Sequence, residues 1–158
     1  MENKEQIIIR GYPIPPSDND LKMPVRRYAK GKKFKILTFC DSKKYLSYKS
    51  DLNVWWMGNN QTYHDDFMLI RKWLMQGKVL HLEAQFRMHR GRIWTLENKP
   101  QRIDAANRLK ALQDTLAHLI QIDDTVFFKV TIEKTEIPKD RRECMYITIT
   151  PIEPRKDL

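Results

Sequence analysis

The sequence predicts a single α/β domain in which helices pack on a mixed β-sheet. Short segments in which apolar and polar residues alternate indicate strands, and longer segments with apolar residues every three or four positions indicate helices. These segments follow one another in the order β, α, α, β, α, β, β, which is typical of a sheet that carries helices. Because 158 residues is close to the commonest domain size, we expect one domain over residues 1–158.

The first third of the chain predicts a strand, a long loop and a second strand. Three consecutive isoleucines at 7–9 form an apolar run that ends at Gly11 and a proline-rich turn. The basic segment that follows contains Gly31, so we expect it to be a loop. It leads into a short strand over residues 35–39.

Two helices are expected next, with a break between them. Asp41 or Ser42 can cap the first helix, which runs to about Trp56. The Gly-Asn-Asn sequence at 58–60 is typical of a helix end. Apolar residues at helical spacing then predict a second helix over about 63–75.

The second half of the chain predicts three strands and one helix. Strict alternation of apolar and polar residues over 80–88 indicates a strand with one face in the core. An apolar stripe indicates a helix over about 104–119. Alternation returns at 126–132 and 145–149, and the polar segment 138–142 is expected to join these strands as a hairpin.

Composition favours a polyanionic partner and excludes a membrane span. The formal net charge is +9, and binding to a polyanion is favoured when basic side chains neutralise phosphates and release counterions. No apolar run approaches the ~20 residues of a transmembrane helix, and the N-terminus lacks the apolar core of a signal peptide. The two cysteines are far apart, so we expect reduced thiols and a cytoplasmic location.

Basic residues concentrate in two stretches. The first, at 22–49, contains interleaved aromatic residues and a single acid, Asp41, and the second, at 87–110, leads into the helix predicted at 104–119. Any one lysine is more often an ordinary solvated residue, but the two clusters together indicate a nucleic-acid surface. The candidate DNA contacts are Arg26, Arg27, Lys32, Lys33, Arg90, Arg92, Arg102 and Arg108.

Polar residues of the helix predicted at 104–119 lie on one face. At ~100° per residue, Asn107, Lys110 and Asp114 fall within about 60° of one another, opposite the leucine stripe. Asp104 stands at the start of the helix. The ordinary interpretation is that Asp104 is an N-cap and that the other three form a solvated face.

A pair of carboxylates, Asp123 and Asp124, follows this helix at the mouth of a strand. Clustered carboxylates repel one another unless a cation lies between them. In a chain this basic, the carboxylates have two interpretations: they bind magnesium beside a nucleic acid, or they are only solvated.

The segment 104–124 resembles the signature of the RusA-type Holliday junction resolvases. In that family an Asp-x-Asp-Asn-x-x-Lys-x-x-x-Asp helix is followed by an Asp-Asp pair that leads a strand. The matching positions are Asp104, Asn107, Lys110, Asp114, Asp123 and Asp124. A Pro-Pro-Ser-x-Asn segment at 15–19 and an Ile-Thr-Ile-Thr segment at 147–150 are also similar to the family's.

The resemblance implies a RusA-like fold and a homodimeric endonuclease that cuts two opposed strands of a four-way DNA junction with Mg²⁺. It implies that Asp104 and Asp124 are metal ligands, and that Asp123 is either a third ligand or a nearby support for them. Lys110 would be the cation that faces the scissile phosphate or the attacking water. Because a lysine beside carboxylates stays protonated, it suits stabilisation of transition-state charge better than the role of a general base. Asn107 and Asp114 would support this arrangement.

Ala106 departs from the family pattern, which has a carboxylate at that position. We expect the site to work with Asp104, Asp123 and Asp124 and a further ligand, for which Glu83 is a candidate. Two alternatives stay open: a relative that binds junctions but cleaves them weakly or not at all, and a position mutated to trap an inactive complex.

Overall fold

The computed structural model describes residues 4–17, 21–28, 35–101 and 105–154. At residues 24–28 and 35–39 the description covers the backbone alone. The strands are β1 (Ile7–Tyr12), β2 (Lys22–Tyr28), β3 (Lys35–Asp41), β4 (Val79–His89), β5 (Phe127–Ile137) and β6 (Cys144–Ile152). The helices are α1 (Lys43–Met75), α2 (Arg90–Ile93) and α3 (Leu109–Ile120), with 3₁₀ turns at Ala106–Arg108 and Asp124–Val126.

Four strands form a mixed sheet in the order β1-β6-β4-β5. β6 pairs antiparallel with both β1 and β4, and β5 pairs parallel with β4. A parallel pair needs a long crossover connection, which the segment containing α2 and α3 provides. The predicted fold class, a mixed sheet with helices packed on it, is confirmed.

One face of this sheet forms the core together with α1 and α3. Alternate residues of β4 are buried from Leu80 to Met88, as the alternation predicts. They share one buried cluster with Phe67 and Ile70 of α1 and with Leu112 of α3. Burial of these apolar side chains is the main force that holds α3 on the sheet.

The two helices predicted at 41–56 and 63–75 are one continuous helix of 33 residues. Gly58 lies inside it with no heavy atom near its Cβ position, and a helical glycine costs only about 1 kcal/mol. Aromatic side chains pack across the expected break: Trp55 contacts Tyr63 and Trp56 stacks on Phe67, with ring centroids 5.6 and 5.3 Å apart. This packing outweighs the local signal for a helix end.

The basic segment expected to be a loop contains strand β2. It pairs antiparallel with β3 as a separate two-stranded sheet. A strand pairs through its backbone, so a polar side-chain sequence does not prevent it. The helix start expected at Asp41 or Ser42 is confirmed at Ser42, whose hydroxyl accepts a hydrogen bond from the Tyr45 N–H at 3.1 Å.

The hairpin expected between the last two strands is wrong. β5 and β6 lie on opposite sides of β4, and the segment 138–143 passes the end of β4 to connect them. His89, the last residue of β4, anchors this crossing: its backbone N–H donates to Glu143 and its ring Nε2 to the Arg141 carbonyl, at 2.8 and 2.7 Å. Sequence alternation identifies a strand but not its neighbours.

The helix expected over 104–119 begins later than predicted. Ala106–Arg108 is a 3₁₀ turn, and the α-helix runs over Leu109–Ile120. It ends at Gln121, whose left-handed backbone (φ 62°) ends helices.

Candidate metal and nucleic-acid site

Lys110 and Asp114 lie on the solvent side of the first two turns of α3. Both side chains are exposed, while Leu112 and Leu116 of the same helix are fully buried. Asn107 lies one turn earlier, half-buried in the 3₁₀ turn. Arg108, also in this turn, donates a hydrogen bond from its guanidinium to the Pro15 carbonyl.

Asp123 and Asp124 lie just beyond the other end of α3. Asp123 caps the 3₁₀ turn at Asp124–Val126: its Oδ1 accepts hydrogen bonds from the Thr125 N–H at 2.9 Å and the Thr125 hydroxyl at 2.5 Å. The hydroxyl and then the N–H of Thr125 hold the pKa of Asp123 below its usual value. Asp123 is therefore ionised at neutral pH, and both carboxylates are exposed.

The structure does not bring Lys110 and this carboxylate pair together within one chain. Ile120 lies ten positions after Lys110, which is a rise of about 15 Å along the helix axis. Asp123 lies beyond that end, where Ile122 folds back to donate its N–H to the Ala117 carbonyl. Lysine and aspartate side chains together do not span this length.

The two carboxylates fit a hard cation in part. Mg²⁺ is usually held by one or two carboxylates, and water and substrate phosphate complete its shell. Asp123 and Asp124 supply such oxygen ligands in an exposed position. Within the described ranges, no group of three or more His, Cys, Asp or Glu side chains could hold a metal ion. Asp104, the third ligand expected, lies outside the described residues.

Two further residues of the metal prediction have clear positions. Glu83, the candidate replacement ligand, lies in the middle of β4 and pairs with Thr131 and Thr148. Since Phe127 to Thr131 alone spans about 13 Å of strand, Glu83 is far from Asp124 and does not complete its site. Ala106 is exposed in the 3₁₀ turn before α3.

The candidate DNA contacts whose side chains the structure describes have protein partners. Arg90 pairs with Glu136 at 3.2 Å, and Arg92 pairs with Glu143. Burial raises the pKa of Glu143, but the His89 N–H and Arg92 outweigh this, so the pKa lies below its usual value. Arg26 and Arg27 lie in β2, where the backbone is described; Arg102, Lys32 and Lys33 lie outside the described residues.

A groove at the start of α1 joins the two basic stretches. Lys43 and Lys44 of α1 line it together with Arg108, and its volume is about 560 Å³. The sequence prediction placed both lysines in the first basic stretch but did not select them as DNA contacts. Lys43 and Lys44 directly follow the helix cap at Ser42, and this position could have identified them as candidate DNA contacts.

A buried hydroxyl cluster fixes α3 against α1 and β1. The Thr115 hydroxyl lies 2.9 Å from the hydroxyls of both Tyr12 and Tyr48 and donates to the Ala111 carbonyl. Burial raises the pKa of Tyr48 to about 12 and that of Tyr12 well above its usual value. Both phenols are therefore neutral at any physiological pH, and the cluster is purely structural.

A comparison with protein families gives a match over most of the chain. A family model described as endodeoxyribonuclease RusA matches residues 22–150, which include both ends of α3 and the carboxylate pair. No curated protein matches the chain significantly. Among the described residues, no helix has the length and apolar character needed to cross a membrane.

Proposed function

The chain belongs to the RusA family of endodeoxyribonucleases, which resolve Holliday junctions, and on this premise we propose that it cuts four-way DNA junctions with Mg²⁺. The family match over residues 22–150 carries the proposal. The net charge of +9 supports a nucleic-acid substrate. A role in DNA recombination and repair in the cytoplasm belongs to the same proposal.

We propose that Asp123, Asp124 and Asp104 hold the metal. When bound, Mg²⁺ shields the phosphate charge and lowers the pKa of a bound water. Asp123 is suited to this role because Thr125 fixes its orientation and keeps it ionised. Asp124 shares its exposed position after α3.

Lys110 is proposed to stabilise the negative charge that develops on the scissile phosphate. It is exposed on the first turn of α3, where a phosphate can approach it, and a fixed cation lowers the energy of the charged transition state. Asn107 and Asp114 are proposed to position Lys110, since Asn107 lies about one turn before it in the 3₁₀ turn and Asp114 about one turn after it in α3.

The basic residues are proposed to bind the phosphates of the junction arms. Arg108, Lys43 and Lys44 line one groove. The other candidates from the sequence are Arg26, Arg27, Lys32, Lys33, Arg90, Arg92 and Arg102. Paired cuts in two opposed strands require two sites in one assembly, so we propose that the protein acts as a homodimer.

A synthetic four-way junction and a duplex of matched sequence test this function. We expect symmetric nicks in the junction with Mg²⁺, no nicks with EDTA, and little cleavage of the duplex. Equal cleavage of both substrates would contradict junction selectivity. No cleavage of either would contradict nuclease activity.

Ala106 favours a second candidate function, a junction-binding protein that cuts weakly or not at all. Its methyl group is exposed where the family pattern has a carboxylate, and it cannot bind metal. The Ala106→Asp variant separates the two functions. A large gain in cleavage rate at unchanged junction affinity would show that a ligand is missing, and an unchanged rate would show that it is not needed.

A further inference from the structure

We infer that Phe128 forms a binding site for an unpaired DNA base of the junction, close to the phosphate that is cut. The inference rests on the proposed function, in which Asp123 and Asp124 hold the metal at that phosphate. It is drawn from the exposure of the Phe128 ring, from the bulge that carries it, and from its position just after the carboxylate pair.

Phe128 is the one aromatic side chain that is exposed among the described residues. Its exposed fraction is 77%, whereas Phe127 beside it is 6% exposed and belongs to the core. The other large apolar side chains exposed in the described ranges are aliphatic or methionine. A single exposed apolar residue is ordinary in itself, so the position of this ring is what indicates a role.

A β-bulge separates the Phe128 ring from the core. Leu80 of β4 pairs with Phe127 and His81 pairs with Lys129, so Phe128 is an extra residue with no partner on β4. Because β5 is the edge strand of the described four-stranded sheet, no described strand pairs with its other side. Bulges change the direction of a side chain and occur often beside active sites.

The ring lies near the proposed metal ligands. The 3₁₀ turn Asp124–Val126 rises about 4 Å and the next two strand residues add about 7 Å, so Phe128 is about 11 Å along the chain from Asp124. A DNA strand rises about 3.4 Å per nucleotide. A phosphate held at Asp124 therefore places the bases of roughly three flanking nucleotides within reach of the ring.

An unpaired base is the ligand that suits this ring. Phenylalanine has no hydrogen-bonding group in its side chain, so it cannot read the edge of a base, but its face can stack on any base. In a duplex each base is already stacked, and unstacking it costs free energy. The branch point of a junction interrupts that stacking. The net charge of +9 and the exposed Lys129 beside the ring favour a nucleic acid over an apolar protein surface.

The junction affinity of Phe128 variants tests the inference. Phe128→Ala and Phe128→Leu remove the ring, and Phe128→Trp keeps a stacking surface. Gel shifts in EDTA, where no strand is cut, measure binding alone. We expect the Ala and Leu variants to bind a four-way junction about 5- to 150-fold more weakly and the Trp variant to bind it as the wild type does. Affinity for a matched duplex should not change. Met57→Ala, at another exposed apolar position, is the control and should not weaken junction binding.

Abasic sites identify the base that stacks on Phe128. Junctions that lack one base, at each of about three nucleotides on either side of the cut, are bound to the wild type and to Phe128→Ala. At one position, loss of the base should weaken binding by the wild type but not by Phe128→Ala, because both changes remove the same contact. Exchange of that base for another should have little effect, since every base has a face to stack on. If the two losses multiply at every position, the stacking contact is absent.

The outcomes separate the inference from the proposed function. If the wild type cuts no junction with Mg²⁺, the proposed function is wrong. If it cuts junctions and Phe128→Ala binds them as tightly as the wild type, the base site is wrong and the nuclease stands. Equal losses of junction and duplex affinity would also overturn the inference. A changed oligomeric state of Phe128→Ala without DNA, measured by analytical ultracentrifugation, would show that the ring contacts protein instead. Its melting temperature should match the wild type, because the side chain is exposed.

Discussion

The carboxylate of Asp123 shows how one neighbouring residue can fix a proposed metal ligand. Thr125 donates twice to Oδ1, once from its backbone and once from its hydroxyl. These bonds orient the side chain and favour its charged form. The pair Asp123–Asp124 is thus presented at a turn of fixed geometry rather than on a loose loop.

Removal of the Thr125 hydroxyl should raise the pKa of Asp123. Because the pKa of Asp123 is lowered in the folded protein, the ionised carboxylate stabilises the fold at pH values above the ordinary carboxyl pKa. This contribution to the free energy of unfolding is lost as the pH falls through the pKa of the folded protein. NMR titration of Thr125→Val should therefore show Asp123 titrating at higher pH than in the wild type. Thr62→Val, at an exposed position of α1, is the control. An unchanged Asp123 titration would contradict this assignment.

Asp124→Asn should abolish junction cleavage and leave junction binding intact or stronger. The amide keeps the shape of the side chain but loses the charge that is proposed to bind Mg²⁺. We expect a larger loss than the roughly 10–100-fold caused by removing the partner of a metal ligand. Nicking rates and gel-shift affinities measure the two effects, with Asp140→Asn at an exposed position as the control. Surviving cleavage would show that Asp124 is not a ligand.

Thr115→Val should destabilise the protein by about 1–3 kcal/mol, the cost of leaving buried hydroxyls without their partner. Thr115 bonds to both Tyr12 and Tyr48, so one change affects two buried phenols. Chemical denaturation measures the free energy of unfolding, and Thr62→Val again serves as the control. A change no larger than the control's would mean that the cluster contributes little.

Several site residues were predictable from the sequence and others were not. Helical spacing correctly placed Lys110 and Asp114 on the exposed side of a helix, because the buried leucines fix its orientation. The separation of Lys110 from Asp123 was not predicted, since a motif gives order along the chain and not distance in space. The acidic partners of Arg90 and Arg92 were also missed, because they come from distant segments.

At the scale of elements, α1 shows tertiary packing overriding a local signal. The Gly-Asn-Asn sequence at 58–60 predicted a helix end, yet the Asn59 side chain donates to the Trp55 carbonyl one turn earlier, at 2.7 Å, and the helix continues. The stacked rings on either side of Gly58 are spaced too widely along the chain for a pattern-based prediction to pair them.

Gly58→Ala should stabilise the protein by up to about 1 kcal/mol, because alanine favours a helix interior and its Cβ meets no atom here. Gly77→Ala is the matched contrast. Its Cβ also meets no atom, but its φ of +80° is strained for alanine, so it should destabilise by about 1–2 kcal/mol. Denaturant midpoints measure both. A loss of stability in Gly58→Ala would indicate that α1 is broken at that position.

At the scale of the whole molecule, the order of strands in space differs from their order in the chain. The strands β4, β5 and β6 were located correctly, but at the start of β5 the buried residue is Phe127, and Phe128, which the alternation grouped with Val130 and Ile132, is exposed. The partners of these strands were not predicted correctly, because each strand could pair with either neighbour on local evidence alone. The crossing at 138–143 depends on contacts with His89. These contacts could not be predicted from the sequence, because His89 lies far from this segment along the chain.

A chain that ends at residue 142 should fail to fold. It keeps β1, β4 and β5 but lacks β6, which pairs with both β1 and β4. Circular dichroism and tryptophan fluorescence should show no cooperative unfolding transition. A chain that ends at residue 154 retains all the described strands and should unfold cooperatively. A cooperative transition in the shorter chain would mean that β4, β5 and the helices form a core without β6.

The place of β6 in the sheet also has a consequence during synthesis. β1 emerges from the ribosome early, but its only sheet neighbour among the described strands is made last. Until β6 emerges, the apolar faces of β1 and β4 stay exposed on a nascent chain that cannot close its sheet. Such exposed strands favour aggregation, and the sheet can close only after its last strand has been made.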